Sequence, residues 1–278
     1  MSLWAYLCAT EEVVVEQTTT FVRSRRKRID DDLPLGLRFG RTVSFSSIFK
    51  LLLLGDFPDL KLDIPDGVLF VRWIGQIEDN GFTIYRFYLS DNPTDRQPRL
   101  ILQIVTNPED EIVDGEVTLW MVREGDPSQF PRTDDDTRLW IDLRDGESGL
   151  IGYPVFDDWK LNNLRYLRVD EFADDKRHNV QITLPDGSGE YTDFVCSPKR
   201  LSEIVYRDPY GDDTVTLVQD CMIYQRRSSK YDGVPEAGIP RDARVELALL
   251  TYNYNDQGGG WVDIRKGIDL QEGDITVI

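Results

Sequence analysis

Residues that could carry acid–base or nucleophilic catalysis are scarce in this chain of 278 amino acids. Its single histidine, His178, lies in the polar segment DDKRHN, for which we expect an exposed loop at the start of a strand. Serine–histidine and cysteine–histidine catalysis both need a histidine base that a third group positions. The sequence also lacks a Walker A loop, a GxGxxG turn, an HExxH motif and a complete EF-hand loop. The motifs therefore disfavour an enzyme but do not decide whether the protein has catalytic activity.

The remaining candidates for chemistry are four acidic clusters, at residues 30–32, 134–136, 174–175 and 212–213. Calcium takes about six to eight oxygen ligands from a loop of dedicated spacing, whereas adjacent aspartates on an extended chain point alternately to opposite sides. Solvated turns or helix caps are the favoured interpretation, so we expect no metal and no cofactor. A pair of carboxylates facing each other across a cleft, as in a glycosidase, stays open among 50 acidic residues.

The three cysteines are Cys8, Cys196 and Cys221, and no CxxC pair occurs. An odd number without such a pair disfavours a disulfide framework and a zinc ribbon. Alternation in QDCMIYQRR predicts a buried, inert Cys221. Cys196 precedes SPKR, which is typical of a helix start with Ser197 as N-cap, where a thiol would be more reactive. The N-terminus lacks the basic segment of a signal peptide, and no apolar run approaches the roughly 20 residues of a membrane span, so we expect a cytoplasmic protein.

The net charge of −18 disfavours nucleic-acid binding, because affinity for nucleic acid comes mostly from Lys and Arg that neutralise phosphates. Five basic residues cluster in RSRRKR, residues 23–28, and removing their charge from −18 leaves −23 for the remainder. We therefore divide the chain into an N-terminal arm, residues 1–29, and one β-rich domain, residues 30–278.

The arm joins an aromatic-rich apolar end to its basic cluster. These are the two signals of weak peripheral attachment to an anionic membrane. The arm residues assigned to a membrane or partner contact are Trp4, Arg23, Arg25, Arg26, Lys27 and Arg28. In the alternative interpretation, the apolar end packs on the domain and the basic residues pair with Asp30 to Asp32.

The clearest structural signal is a hairpin over residues 68–91, VLFVRWIGQIEDNGFTIYRFYLSD. Asn80-Gly81 predicts its turn, since both positions tolerate positive φ, and that register pairs Gly75 with Arg86. One face then carries Trp73, Ile77, Ile84 and Tyr88, and the other carries Phe70, Ile74, Tyr85 and Phe87. Because both faces are apolar, we expect the hairpin to be central and covered on both sides.

Arg86 projects among aromatic residues opposite a glycine that leaves it room. A buried guanidinium is costly unless it is paired, so we expect a carboxylate or several carbonyl groups around it. Arg86 then either forms an ion pair that pins the sheet or binds an anion. Together with the late aspartates Asp212 and Asp213, it forms the candidate set of binding residues.

Strand patterns follow one another from residue 33 to the C-terminus. The segment SIFKLLLLG predicts a short helix with Ser47 as N-cap and Gly55 as its stop. No repeat of fixed period indicates a propeller or a solenoid. We therefore predict a mainly β fold: a large antiparallel assembly, sandwich or barrel-like, as one domain or two fused lobes, with a few short helices.

Several segments resemble, in order, the YjfK-like family of bacterial proteins of unknown function. They are LPLGLRFGRTVSF, WIGQIEDNGFTIYRFYLSD, LILQIV, GLIGYPVF, CMIYQRR and ELALLTYNYNDQGGGWVDIRKGIDL, spread over residues 33–270. The chain departs from the family pattern at Gln225, which separates the tyrosine from the arginine pair, and at YNYND, which replaces an acidic pair. The resemblance carries no catalytic residues. It implies a role beside a membrane-maintenance system, because relatives are encoded near a phage-shock-type coiled-coil protein and small membrane proteins.

These observations predict a non-enzymatic cytoplasmic accessory or scaffold protein that binds another protein within a bacterial membrane-stress module. The candidate partner is the phage-shock-type coiled-coil protein. The alternative is a small-molecule-binding protein or a hydrolase that uses an acidic cleft. An exposed apolar patch would favour the interaction protein, and a deep cleft with converging acids would favour the alternative.

Overall fold

The computed structural model describes residues 12–15, 18–21, 26–58, 60, 62–122, 155–158, 164–169, 174–183, 190–231, 234–235, 238–240, 243–254, 260–271 and 273–278. Within these ranges the chain forms sixteen strands, one α-helix and two short 3-10 turns. The mainly β prediction is therefore confirmed.

The strands are β1 (Glu12–Val15), β2 (Thr18–Phe21), β3 (Thr42–Phe45), β4 (Val68–Asp79), β5 (Phe82–Ser90), β6 (Leu100–Thr106), β7 (Ile112–Val122), β8 (Val155–Asp158), β9 (Leu164–Arg168), β10 (Asp174–Thr183), β11 (Glu190–Ser197), β12 (Lys199–Tyr206), β13 (Thr214–Arg227), β14 (Val245–Tyr254), β15 (Gly260–Asp269) and β16 (Ile275–Val277). The helix α1 spans Ser47–Asp56, and the 3-10 turns span Pro34–Gly36 and Ser229–Tyr231.

Eight of these strands close into one antiparallel barrel in the order β4-β5-β6-β7-β15-β14-β13-β12, with β12 pairing back onto β4. Two four-stranded meanders, residues 68–122 and 199–269, build the barrel from the two halves of the chain. β3 and β16 extend it beside β4, and β9 and β8 extend it beside β13. Strands β1–β2 and β10–β11 form two separate hairpins.

Alternation along each barrel strand separates an inner core from an outer one. The inner core contains Ile77, Ile84, Tyr88, Ile101, Trp120, Leu201, Val205, Cys221 and Leu249. The outer core has β4, β5, β6, β7 and β15 on one side, and the segment with β3 and α1 on the other. It buries Phe49, Leu53, Phe87, Leu102 and Ile268. A third cluster centres on Tyr166 of β9, Met222 and Leu250. The hairpin of β4 and β5 is thus covered on both sides, as predicted.

The predicted register of this hairpin is confirmed: Gly75 lies opposite Arg86, with Asn80 and Gly81 at positive φ in the turn. One residue departs from prediction. The register shifts between Val71 and Trp73, so Val71 instead of Phe70 enters the outer core. A bulge inserts one residue and therefore exchanges the faces of the strand beyond it.

Three local predictions need correction. The helix cap is Ser46, one residue earlier than predicted, because its side-chain oxygen accepts from the Phe49 backbone N–H, and the helix continues past Gly55. Cys196 lies in β11 and not before a helix, and His178 lies in β10 and not in a loop. The pairing of β10 with β11 supplies backbone hydrogen bonds that neither local pattern reveals. The second predicted helix, TRLWIDLRDG, lies outside the described residues.

Candidate functional site

Arg86 lies at the centre of a polar cluster inside the barrel. The residue is 2% exposed, and its Nη1 donates to Glu203 Oε2 at 2.7 Å and to Gln219 Oε1 at 3.0 Å. Its Nε donates to Gln103 Oε1 at 3.0 Å. The Tyr88 hydroxyl donates to the other carboxylate oxygen of Glu203 at 2.7 Å. The predicted carboxylate partner of Arg86 is therefore Glu203, which is fully buried.

This cluster joins four barrel strands, because Arg86 is on β5, Gln103 on β6, Glu203 on β12 and Gln219 on β13. Burial is the largest influence on the pKa of Arg86 and lowers it, but the combined effect of Glu203, Tyr88 and Cys221 leaves that pKa above its usual value. Burial, together with the Glu203 carboxylate, raises the pKa of Tyr88. The pairing fits the interpretation of Arg86 as an ion pair that pins the sheet.

Sequence reasoning missed Glu203. In KRLSEIVY it alternates inward with Leu201 and Val205, and an acid in an apolar alternation is a signal of a buried partner. That partner is 117 residues away along the chain. Only the pairing of β12 with β4 and β13 brings the two charges together.

Within the described part of the chain, two inward-facing side chains of the barrel carry donor atoms that have no hydrogen-bond partner. Arg265 of β15 is 4% exposed, and its Nε and Nη1 are buried and unpaired. Trp120 of β7 is 1% exposed, and its Nε1 is likewise unpaired. Trp120 lies opposite Gly267 of β15. Gly267 is two residues from Arg265 and lies on the same face of that strand. The sequence analysis predicted neither Arg265 nor Trp120 as a site residue. The alternation of GWVDIRKGIDL gives no indication of the partners of its arginine.

The aspartates assigned to binding lie on the turn between β12 and β13, at the surface. Asp212 forms a two-point ion pair with Arg26 of the arm, at 2.6 Å from Nη1 to Oδ2, and both side chains are more than half exposed. This pairing lowers the pKa of Asp212. The backbone N–H of Asp213 donates to Asp208. Since Arg86 directs its donors to Glu203, Gln103 and Gln219, ligand binding by the predicted set stays a prediction.

The arm contacts the domain at the end of its basic cluster. Arg28 pairs with Asp30 at 2.7 Å, and Asp30 also accepts from the Phe39 backbone N–H. The Ile29 backbone N–H donates to the Pro209 carbonyl at 3.0 Å. Arg26 and Arg28 are thus engaged by acids of the domain, whereas Trp4, Arg23 and Arg25 lie outside the described residues and Lys27 is exposed.

A second buried polar cluster lies outside the barrel wall, under β9. The Lys266 ammonium donates to the Tyr166 hydroxyl, which donates to the Glu246 carboxylate. Arg226 pairs with the other oxygen of Glu246 at 3.3 Å. The alternation of charges satisfies each member, which is typical of a structural network.

The helix α1 presents an apolar row to solvent. Phe49 and Leu53 anchor it in the outer core, while Ile48, Leu51 and Leu54 are 79%, 68% and 75% exposed. A surface cavity of about 210 Å³ adjoins the end of the helix, lined in part by Leu52, Asp56, Tyr231 and Arg244. Such an exposed apolar patch is typical of a protein-interaction surface.

The described residues offer neither a metal-binding cluster nor an accessible Cys221 thiol. They contain no group of three or more His, Cys, Asp or Glu that could hold a metal ion. Burial raises the pKa of the Cys221 thiol to about 12, so this thiol is inert as predicted. No helix in the described ranges has the length and apolarity needed to cross a bilayer.

A search of protein-family models, curated proteins and solved structures finds nothing that matches this chain. The resemblance to the YjfK-like family, and all that it implies about function and partners, therefore stays a prediction.

Proposed function

We propose that this protein is a non-enzymatic accessory protein of the cytoplasm that binds another protein through the outer face of α1. The observation that carries the proposal is the exposure of Ile48, Leu51 and Leu54 in one row. Leaving three large aliphatic side chains in water is unfavourable by roughly 25 cal/mol per Å² of apolar surface. A partner that covers them recovers this free energy.

The spacing of the row fits a helix as the occupant. Residues three apart form a ridge on a helix surface, and such a ridge packs into the groove of a second helix. Within α1 the only cation, Lys50, is neutralised by Asp66 at 2.8 Å, and the chain as a whole carries −18. An amphipathic helix with an apolar stripe complements this surface in shape, and basic flanks on that helix suit the net charge of the chain.

The family resemblance supplies the candidate for that helix. A phage-shock-type coiled-coil protein presents long amphipathic helices, and a place in a bacterial membrane-stress module follows from such a partner. Weak contact of the arm with an anionic membrane would fit the same setting. It would rest on Arg23, Arg25 and Lys27, since Arg26 and Arg28 are paired with acids of the domain.

The test is a titration of the purified coiled-coil protein of the same host into this protein. The triple variant Ile48→Ser, Leu51→Ser, Leu54→Ser should lose binding, because it removes the apolar row without touching the core. The matched control is Leu167→Ser, which changes a leucine of β9 that is 57% exposed. Equal binding by the triple variant, or no binding by the wild type, would refute the proposal. Loss of sedimentation with phosphatidylglycerol vesicles in the triple variant alone would assign the row to a membrane instead.

A further inference from the structure

Among the residues that the structure describes, Arg265 is a positive charge inside the barrel for which no ion pair with an acid is present. Arg86 and Glu203 cancel each other at 2.7 Å. Arg265 lies on the same inner surface, opposite Leu249 and Val122, and is 4% exposed. Its Nε and Nη1 have no hydrogen-bond partner. A buried guanidinium destabilises the fold unless an acceptor group binds to it. Buried charges in proteins are almost always paired for this reason.

Three carboxylate oxygens of the inward acids Glu203 and Asp263 accept hydrogen bonds from other residues. Both carboxylate oxygens of Glu203 accept bonds from Arg86 and Tyr88. Oδ2 of Asp263, the inward acid two residues before Arg265, accepts from Asn253 Nδ2 at 3.0 Å and from Trp261 Nε1 at 3.2 Å. The positive charge of Arg265 acts on two other residues of the barrel interior. Burial raises the pKa of Tyr88 and of Cys221, and Arg265 partly lowers both.

Trp120 supplies a second unpaired donor on the adjacent strand. Its ring lies against Gly267, where a Cβ would come closer than 3.0 Å to the indole. The glycine therefore lets the ring lie flat on the inner wall of β15. An indole N–H and a guanidinium can only donate, so a group that satisfies both must offer acceptor atoms.

We propose that Arg265 and Trp120 bind the carboxylate of a small, partly apolar molecule inside the barrel. One uncompensated positive charge matches a monoanion, and a planar carboxylate can take two bonds from one guanidinium. The surroundings are apolar, with Ile101 and Leu249 in the same inner core, which favours an organic acid over a fully hydrated inorganic ion. The interior of an eight-stranded barrel is either filled by side chains or holds one small ligand.

The experiment compares hexanoate with hexanamide, which has the same chain but no charge. Isothermal titration should show binding of hexanoate and at least tenfold weaker binding of hexanamide. Trp120→Phe removes only the indole N–H and should weaken hexanoate binding about tenfold, as expected for a bond to a charged acceptor. Arg265→Met should abolish it. Arg200→Met is the matched control, because Arg200 is an exposed arginine that pairs with Asp220.

Stability without ligand separates a binding role from a structural one. If Arg265 is kept for a ligand, Arg265→Met should raise the unfolding midpoint of the ligand-free protein, because it removes an unpaired buried charge. A lower midpoint would show that Arg265 stabilises the fold and would overturn the proposal. Equal binding of hexanoate and hexanamide would also overturn the proposal. Equal stabilisation by sodium chloride and by sodium hexanoate would overturn it too, because the site would then bind inorganic anions.

Discussion

Gly75 and Glu203 share one space inside the barrel: a Cβ on the glycine would lie closer than 3.0 Å to the glutamate carboxylate. The two residues lie on β4 and β12, the strands whose pairing closes the barrel. The absence of a side chain at Gly75 lets the carboxylate reach both Arg86 and Tyr88. The glycine is therefore as much a part of the ion-pair cluster as the charged residues.

Gly75→Ala should destabilise the protein by about 1 to 3 kcal/mol, the usual cost of overpacking a filled core. The added methyl group displaces the Glu203 carboxylate from its donors. The measurement is the urea midpoint and slope at pH 7. Gly55→Ala is the control, since a Cβ there meets nothing within 4 Å and alanine favours helix α1. If the two variants shift the midpoint equally, the shared space has no energetic role.

Arg86→Ala should destabilise the protein by about 3 to 5 kcal/mol, because it leaves Glu203 as an unpaired buried charge. Arg26→Ala removes an exposed arginine that pairs with the exposed Asp212 and should cost about 1 kcal/mol or less. Equilibrium unfolding of both variants gives the comparison. An unchanged midpoint for Arg86→Ala would contradict the assignment of the cluster as a stabilising centre.

Cys221 should make the protein less stable in alkali. Burial raises its pKa from 9.0 to about 12 in the folded state, so above pH 9 the unfolded chain releases a proton that the folded chain retains. Stability from this group is complete below pH 9 and is lost as the pH rises toward 12. Between pH 8 and pH 10.5 the loss is about 2 kcal/mol, at about 1.4 kcal/mol per pH unit. Cys221→Ala should show a correspondingly smaller fall, and an identical pH profile would count against this.

Truncation of two leucines of α1 should change stability by very different amounts. Leu53 is 8% exposed in the outer core, so Leu53→Ala should cost about 2 to 5 kcal/mol. Leu51 is 68% exposed, so Leu51→Ala should change stability by about 0.5 kcal/mol or less. Thermal unfolding measures both. A large loss for Leu51→Ala would mean that the apolar row is already covered within the protein, and α1 could not serve as a docking face.

Asp212→Asn should release the arm without weakening the domain. The substitution removes the ion pair with Arg26, which is exposed, so the thermal midpoint should not change. Limited trypsin digestion should cleave faster after Arg26 and Lys27, because a backbone that is not held down is a better protease substrate. Asp213→Asn on the same turn is the control. Equal cleavage rates in the two variants would show that other contacts hold the arm.

The local patterns in the sequence determined the strands, the hairpin of β4 and β5 and the burial of Arg86. Asn80-Gly81 sets the turn, and period-2 alternation then assigns each neighbouring residue to a face. The same logic failed at Phe70, where the bulge after Val71 exchanges the faces, and at Ser46, which competes with an adjacent serine for the helix cap.

The tertiary structure alone decided which residues meet. The closure of the barrel joins β4 to β12 across more than 100 residues and makes Glu203 the partner of Arg86. Among the described residues, Nε and Nη1 of Arg265 have no such partner. Both arginines occupy inward positions of alternating strands, so no local pattern distinguishes them. The difference arises because pairing of charges depends on distances in space, whereas composition and periodicity report only whether a side chain faces the core.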